Sequence, residues 1–305
     1  MELRDILKTS SLPRLETEML LAYLLDKSRE FLLTYPELKI SPKIYQRFKF
    51  LETQRLKNWP IAYLTGQKEF YGYDFKVSPV VLTPRPETEY IVEAAVNMFK
   101  NNRNASLPRI NKPAFLKPII IDLGTGSGAI VISIAKELKR LAPSTYRRAE
   151  FLAVDISPCA LKMAKKNSAY HGLVKKIKFY QGNLLSPLKL NKRDLRRYEL
   201  IIAANLPYLT LKQIRKSPSI SREPRLALDG GIAGLKYYRE LFKQLSRLIS
   251  TKNINHNPSV AGVRLICEID DSQAKKIKTL AKKYFPGQNF KIISDLSGKK
   301  RFLTS

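Results

Sequence analysis

Three short stretches of this 305-residue chain hold residue types that could do chemistry. The first, Asp122-Leu123-Gly124-Thr125-Gly126-Ser127-Gly128, joins an apolar run, IIIDLG, to a helical pattern, AIVISIAKELKRL. Glycine permits positive φ and removes the Cβ, so a ligand can come close to the backbone. The helix that follows presents free N–H groups. The spacing carries two readings: G-x-G-x-G, as in S-adenosylmethionine sites, and, with Ala129, G-x-G-x-x-A, a dinucleotide fingerprint. The second stretch, FLAVD, ends in Asp155, where a carboxylate accepts hydrogen bonds from both hydroxyls of a ribose. Both ligands carry that ribose, so Asp155 leaves the two readings open. Ser157 and Pro158 suit a helix start, and a cap-side role for Asp155 stands beside the ligand role. The third stretch is Asn205-Leu206-Pro207-Tyr208, which follows the apolar run YELIIAA.

Ligands bind beyond the carboxyl ends of parallel strands, so this tetrapeptide is expected at the same crevice as the glycine turn. It resembles the [Asn/Asp/Ser]-Pro-Pro-[Tyr/Phe] signature of S-adenosylmethionine-dependent enzymes that methylate planar amide or amino nitrogens. Such a nitrogen has its lone pair delocalised and is a poor nucleophile. Two acceptors aimed at its N–H bonds fix it in line with a methyl group and favour the geometry that frees the lone pair. The Asn205 side-chain oxygen and the Leu206 carbonyl are the expected acceptors, and Tyr208 is expected to stack on the planar group. This is orientation and electrostatic preorganisation rather than acid–base catalysis. Leucine replaces the usual first proline. It retains the carbonyl, and standing before Pro207 it is still held extended.

The elements that must position these residues follow from periodicity. Residues 1 to about 68 read as short helices, with Leu12, Leu15, Met19, Leu20 and Leu24 on one expected face and Ile44, Phe48 and Leu51 on another. Residues 69–82 alternate and predict a hairpin. TPRPETEYIVEAAVNMF opens a helix at Thr88 or at Pro86-Glu87, and 100–118 read as a basic loop. From Pro118 strands and helices alternate: IIIDLG, AIVISIAKELKRL, FLAVDIS, CALKMAKKNSAYHG, KIKFYQGN, YELIIAANLPYL, YYRELFKQLSRLI, VRLICEI and KIISDLSGKKRFLT. That alternation predicts an α/β fold with a doubly wound, mostly parallel sheet.

Composition bounds the function. The net charge of +29 calls for a polyanionic partner or neighbourhood, or reflects a generally solvated basic surface. The densest basic stretch is Lys175 to Arg197, a candidate nucleic-acid contact or a solvated face. The first 68 residues carry only +4 of the total. Two Cys residues cannot build a disulfide framework or a multi-Cys zinc site and two His residues leave little room for a His-based metal centre, so no metal is expected and a reducing compartment is. Core packing is expected for Cys267, a helix C-terminus for His171, a loop for His256 and interdomain packing for Trp59. The amino-terminal stretch has acids within its apolar pattern, unlike a signal or transit peptide, and no window approaches a membrane span. The expectation is a cytoplasmic protein.

The chain is also similar to the HemK/PrmC family, the glutamine N5-methyltransferases of peptide chain release factors. The resemblance rests on Trp59-Pro60-Ile61-Ala62-Tyr63-Leu64-Thr65-Gly66, EFYG and LTPRPETE. It also rests on Glu223 to Leu241 (EPRLALDGGIAGLKYYREL) and DLSGKKRFL. It covers almost the whole chain in order. It implies a seven-stranded, Rossmann-like methyltransferase sheet with a small helical N-terminal domain. The implied divisions are a substrate-docking domain over 1–68, a hairpin linker over 69–84 and the methyltransferase domain over 85–305. The implied cofactor is S-adenosyl-L-methionine, with S-adenosyl-L-homocysteine as product. Gly124, Thr125, Gly126, Ser127 and Gly128 would cradle its methionine part, Asp155 its ribose, and Asn183 and Leu184 its adenine. Asn183 stands where the family usually has an acid, and Leu184 where it carries an aromatic. Asn205 would touch both cofactor and substrate, Leu206, Pro207 and Tyr208 would complete the glutamine pocket, and Arg85 and Glu87 would line or brace the cleft. The implied substrate is the glutamine of the release factor Gly-Gly-Gln loop.

Competing classes remain at this stage. Methylation of adenine or guanine amino groups in nucleic acid would use the same turn and suit the charge. A ribosome-associated binding protein with a relic cofactor site is opposed by the intact Asn205 and glycine turn. A nicotinamide oxidoreductase lacks any hydride-transfer partner and leaves the Asn-Leu-Pro-Tyr turn unexplained.

Overall fold

The computed structural model describes residues 1–100, 117–190, 198–249 and 263–305. Residues 101–116 of the expected loop over 100–118, part of the Lys175–Arg197 stretch and His256 lie outside those residues, and Lys117 and Pro118 already belong to a strand. Five short helices open the chain: α1 (Leu3–Thr9), α2 (Arg14–Leu25), α3 (Arg29–Thr34), α4 (Pro42–Leu56) and α5 (Ile61–Thr65). Ser28 and Ser41 cap α3 and α4 by accepting from Phe31 and Ile44 N–H groups. Leu3, Ile6, Leu12, Leu20, Leu21, Leu32, Ile40 and Phe48 form their shared core.

The face expected for α2 is corrected. Helix α2 begins only at Arg14, behind Pro13, so Leu12 lies ahead of it. The inward stripe runs Thr17, Leu20, Leu21 and Leu24, and Leu15 and Met19 are exposed. Leu24 is half-buried against the same core.

The hairpin β1 (Gln67–Phe70) and β2 (Tyr73–Lys76) pairs antiparallel, starting two residues earlier than its alternation predicts. Its Phe70 and Phe75 enter a core shared with α6 (Glu89–Lys100) and the sheet. Asn167, from the helix over Pro158–Tyr170, braces it, accepting from Lys76 N–H at 2.8 Å and donating to Lys76 O at 2.9 Å.

The rest alternates: β3 (Lys117–Leu123), α7 (Ala129–Leu141), α8 (Pro143–Arg148), β4 (Glu150–Asp155), α9 (Pro158–Tyr170) and β5 (Ile177–Gln181). Then come β6 (Tyr198–Ala204), α10 (Leu211–Arg215), α11 (Lys236–Ile249) and β7 (Val263–Glu268). The last elements are α12 (Ala274–Tyr284), β8 (Lys291–Ser294) and β9 (Lys300–Thr304). Helix α12 is not among the sequence expectations. His171 caps the end of α9 and Cys267 is buried in β7, both as expected.

Among the described residues the sheet has seven strands in the order β5-β4-β3-β6-β7-β9-β8, bearing out the α/β expectation. The first five strands run parallel, and β9 enters antiparallel between β7 and β8. Residues of β3 alternate between the two cores. Ile119, Ile121 and Leu123 join the α11–α12 side, while Ile120 joins the α6–α7 side. From β3 the chain moves outward to β4 and β5, then returns to place β6 on β3's other flank. That reversal opens a crevice between the carboxyl ends of β3 and β6. No helix among the described residues is long and apolar enough to cross a membrane.

Candidate active site

A cleft of about 1090 Å³, counting its open mouth, lies at that reversal. It is lined by Gly124, Thr125, Gly126 and Ser127 after β3, and by Asp155 after β4. Asn183 and Leu184 after β5, and Asn205, Leu206 and Pro207 after β6, complete those walls. Arg85 reaches it from the segment ahead of α6. Three expected residues do not line it. Gly128 sits behind the turn, where an added Cβ would lie 3.0 Å from Ile132 Cδ1 and 3.2 Å from Ala164 Cβ. Its work is close packing of α7 on α9. Glu87 is exposed. Tyr208, half-buried, turns its hydroxyl away to donate to Glu268 Oε1 at 3.0 Å, since a phenol hydroxyl withdrawn from water finds a partner.

The turn is held from below and from the side. Asp122, with no exposed surface, accepts from Thr125 Oγ1 at 2.6 Å and from Val131 N–H at 3.3 Å through Oδ2. Its Oδ1 has no partner among the described residues, and burial pushes the carboxyl up to about 7. Asn167 Nδ2 donates to Ser127 O at 2.8 Å. Asp155 accepts from Gly126 N–H through Oδ2 and from Ser157 N–H through Oδ1, each at 2.9 Å. Burial raises the Asp155 carboxyl, and these backbone donors oppose the rise.

Leu184 has φ +56°, a left-handed conformation that costs a branched side chain about 1–2 kcal/mol. Gln244 of α11 grips both of its neighbours, accepting from Leu185 N–H at 2.9 Å and donating to Asn183 O at 3.4 Å. Leu184 is thereby pressed, buried, against the cleft.

The loop after β6 folds back over the Asn-Leu-Pro-Tyr turn. Gly234 approaches so closely that a Cβ there would lie 2.1 Å from Tyr208 O. The same loop reaches two other segments: Glu223, buried, pairs with Arg85 ahead of α6, and Arg222 stacks over Trp59 of the helical segment at 5.3 Å. Thr88, expected only as a helix start, and Glu268, unremarked in the sequence, stand directly behind Asn205. Asn205 Nδ2 donates to Thr88 Oγ1 at 3.0 Å, and Thr88 donates to Glu268 Oε2 at 2.6 Å. One signal was available for Glu268: a lone acid ending a buried apolar strand at the ligand edge of a parallel sheet.

The lining suits a nucleoside joined to an amino acid. At Gly126, φ is +55° and, among the described residues, a Cβ would meet only Gly124 O at 3.9 Å. It would project into otherwise open space, and glycine leaves that space free. Asp155 has lone pairs beyond its two backbone bonds, and Ile156, Leu184 and Tyr237 give an apolar wall. Gly124 to Ser127 could hold an amino-acid part, Asp155 a ribose, and Asn183 with Leu184 a base.

Comparison with known proteins places this geometry. Residues 2–66 match the PrmC N-terminal domain and residues 117–285 match a methyltransferase domain. The release factor glutamine methyltransferase of Moorella thermoacetica is 34% identical over 95% of this chain and 89% of its own length. That of Koribacter versatilis is 32% identical over 95% and 89%, and that of Bacillus subtilis 31% over 93% and 88%. Among solved structures, the hMettl16 catalytic domain in complex with MAT2A 3′UTR hairpin 6 aligns with a TM-score of 0.51. At 15% identity over 93% of this chain and 90% of that one, it is alike in fold alone. Since the similarity to proteins of one name runs from the first helices to the last strands, the chain belongs to the family of release factor glutamine methyltransferases.

Proposed function

We propose that this protein transfers a methyl group from S-adenosyl-L-methionine to the side-chain amide nitrogen (N5) of the Gly-Gly-Gln glutamine in a peptide chain release factor. It is an S-adenosylmethionine-dependent methyltransferase, and S-adenosyl-L-homocysteine is the by-product. What supports the substrate is Asn205. Its amide nitrogen is engaged by Thr88, so its oxygen is the end left to accept from a substrate N–H. An amide nitrogen needs such acceptors more than it needs a base, since the bound sulfonium supplies an already electrophilic methyl group.

In this reading Asn205 Oδ1 and the Leu206 carbonyl take the two N–H bonds of the glutamine amide, and Pro207 closes the pocket. Tyr208 acts from behind, through Glu268. Gly124, Thr125, Gly126, Ser127, Asp155, Asn183 and Leu184 hold the cofactor, and Gly128 supports their turn. Arg85 braces the cleft by pairing with Glu223, and Glu87 is available at its rim. The helices of 1–68 dock the release factor, the hairpin of 69–84 joins them to the methyltransferase domain of 85–305, and the setting is cytoplasmic. Nucleic-acid methylation through the same turn falls behind, because relatives matched over nearly the whole chain are release factor glutamine methyltransferases.

The test is methyl transfer from labelled S-adenosylmethionine to a release factor, with RNA and DNA in parallel tubes. One added methyl on the Gly-Gly-Gln glutamine is expected by peptide mass spectrometry. Asn205→Ala is expected to lose transfer while keeping much of the cofactor affinity. Label in nucleic acid alone would overturn the proposal.

A further inference from the structure

Four polar groups from distant parts of the chain meet behind the cleft. Thr88 comes from the turn ahead of α6, Glu268 from the end of β7, and Asn205 and Tyr208 from the exit of β6. They form one line of hydrogen bonds: Asn205 Nδ2 to Thr88 Oγ1, Thr88 Oγ1 to Glu268 Oε2, and Tyr208 Oη to Glu268 Oε1. Thr88 and Glu268 are 4% and 1% exposed, so water does not compete for these atoms. The Glu268 backbone carbonyl is fastened as well, accepting from the fully buried Tyr238 hydroxyl.

The donor and acceptor inventory decides the direction of the line. An ionised carboxylate only accepts, a hydroxyl has one proton to give, and an amide has a donating end and an accepting end. Burial raises the Glu268 carboxyl, while the two hydroxyls and the charge of Arg301 lower it. With its proton committed to Glu268, Thr88 Oγ1 has only lone pairs to offer Asn205. It therefore selects the NH2 end of the amide. We infer that Thr88 and Glu268 are positioning residues that set which end of the Asn205 amide faces the cleft. The two ends are nearly identical in shape, so packing alone does not choose between them. A reversed amide would point a donor at a substrate nitrogen that itself donates. The inference rests on the amide-methylation reading, because only there must Asn205 offer an acceptor.

Thr88→Val keeps the shape and removes the hydroxyl, Thr88→Ser keeps the hydroxyl, and Glu268→Gln replaces one of the two acceptors by a donor. With a release factor as substrate, Thr88→Val and Glu268→Gln are expected to lower kcat by about 10- to 100-fold. KM for the release factor and Kd for S-adenosyl-L-homocysteine stay within about threefold. Thr88→Ser returns kcat to within about threefold of the parent, a rescue that a purely space-filling threonine would not show. Should Thr88→Val fold poorly, Glu268→Gln makes the same comparison. A second readout needs no substrate: solvent exchange of the Asn205 side-chain NH2 in 15N-labelled protein, assigned by its loss in Asn205→Ala. Exchange is expected to quicken in Thr88→Val and not in Thr88→Ser. Parent-like kcat in both Thr88→Val and Glu268→Gln, or a Thr88→Ser no better than Thr88→Val, overturns the inference. An inactive parent would sink the amide-methylation reading, and the exchange result would still decide whether Thr88 holds Asn205.

Discussion

Asp122→Asn separates burial of a charge from support of the glycine turn. Asp122 uses Oδ2, which accepts from Thr125 and Val131, while Oδ1 is buried without a partner among the described residues. An amide placed with its oxygen at the Oδ2 position keeps both bonds and loses none. What it removes is the charge. Burial lifts the carboxyl from 3.8 to about 7, so the folded protein holds this proton more tightly than the unfolded chain does. The stability from that proton is fully present below the unfolded value and is lost as pH rises through about 7. At about 1.4 kcal/mol per pH unit, the loss between pH 5 and pH 8 amounts to about 3 kcal/mol. The amide variant has no such loss. Urea unfolding of both proteins at pH 5, 6, 7 and 8 gives the measurement, since every other titrating group is common to the two. The stability difference is expected to move by about 3 kcal/mol in favour of Asp122→Asn as pH rises. A difference constant to within about 0.5 kcal/mol would refute the reasoning, and Asp122 would then have to be charged and solvated in the native protein.

Two further outcomes are expected. Asp155→Ala orphans the Gly126 and Ser157 N–H groups as well as removing the ribose acceptor, so calorimetry should show S-adenosylmethionine Kd rising by about 10-fold or more. Thermal melting of the ligand-free protein should fall in the same variant, which a residue acting on ligand alone would not produce. Gln244→Ala releases the grip on Asn183 and Leu185, letting Leu184 leave its left-handed conformation. Cofactor Kd should rise by about 3- to 10-fold with kcat at saturating cofactor little changed.

Much of the frame was legible because its signals are local. The helix AIVISIAKELKRL coincides with Ala129–Leu141, since an apolar period of 3.6 follows directly on a turn glycine. Helix α12 escaped because five lysines in eleven residues mask a sparse buried stripe of Ala274, Ile277 and Ala281. The insertion of β9 between β7 and β8 could not be read, because strand order is decided by pairing between segments rather than within them. The site divides the same way. Glycine turn, Asp155 and Asn205 announce themselves by spacing. Thr88 and Glu268 stand 180 residues apart, and only the folded sheet brings them together. Tyr208 shows the complementary limit: its aromatic ring suggests stacking, and the bond of its hydroxyl to Glu268 carries no signal in the sequence.

Among the described residues the open sheet leaves two edges, β5 and β8, each a row of backbone groups able to pair with another chain. Both are blunted. Strand β5 carries exposed Lys178, and β8 has only four residues, with exposed Lys291 and a break in register at Ile293 and Ser294. A second copy approaching either edge would bring its own lysines against these, and the whole molecule carries +29 behind them. The repulsion reaches about 8 Å at physiological ionic strength, farther than the spacing of two paired strands. The basic surface thus opposes the joining of sheets between neighbouring molecules, a colloidal effect that owes nothing to the reaction in the cleft and weakens as salt is added.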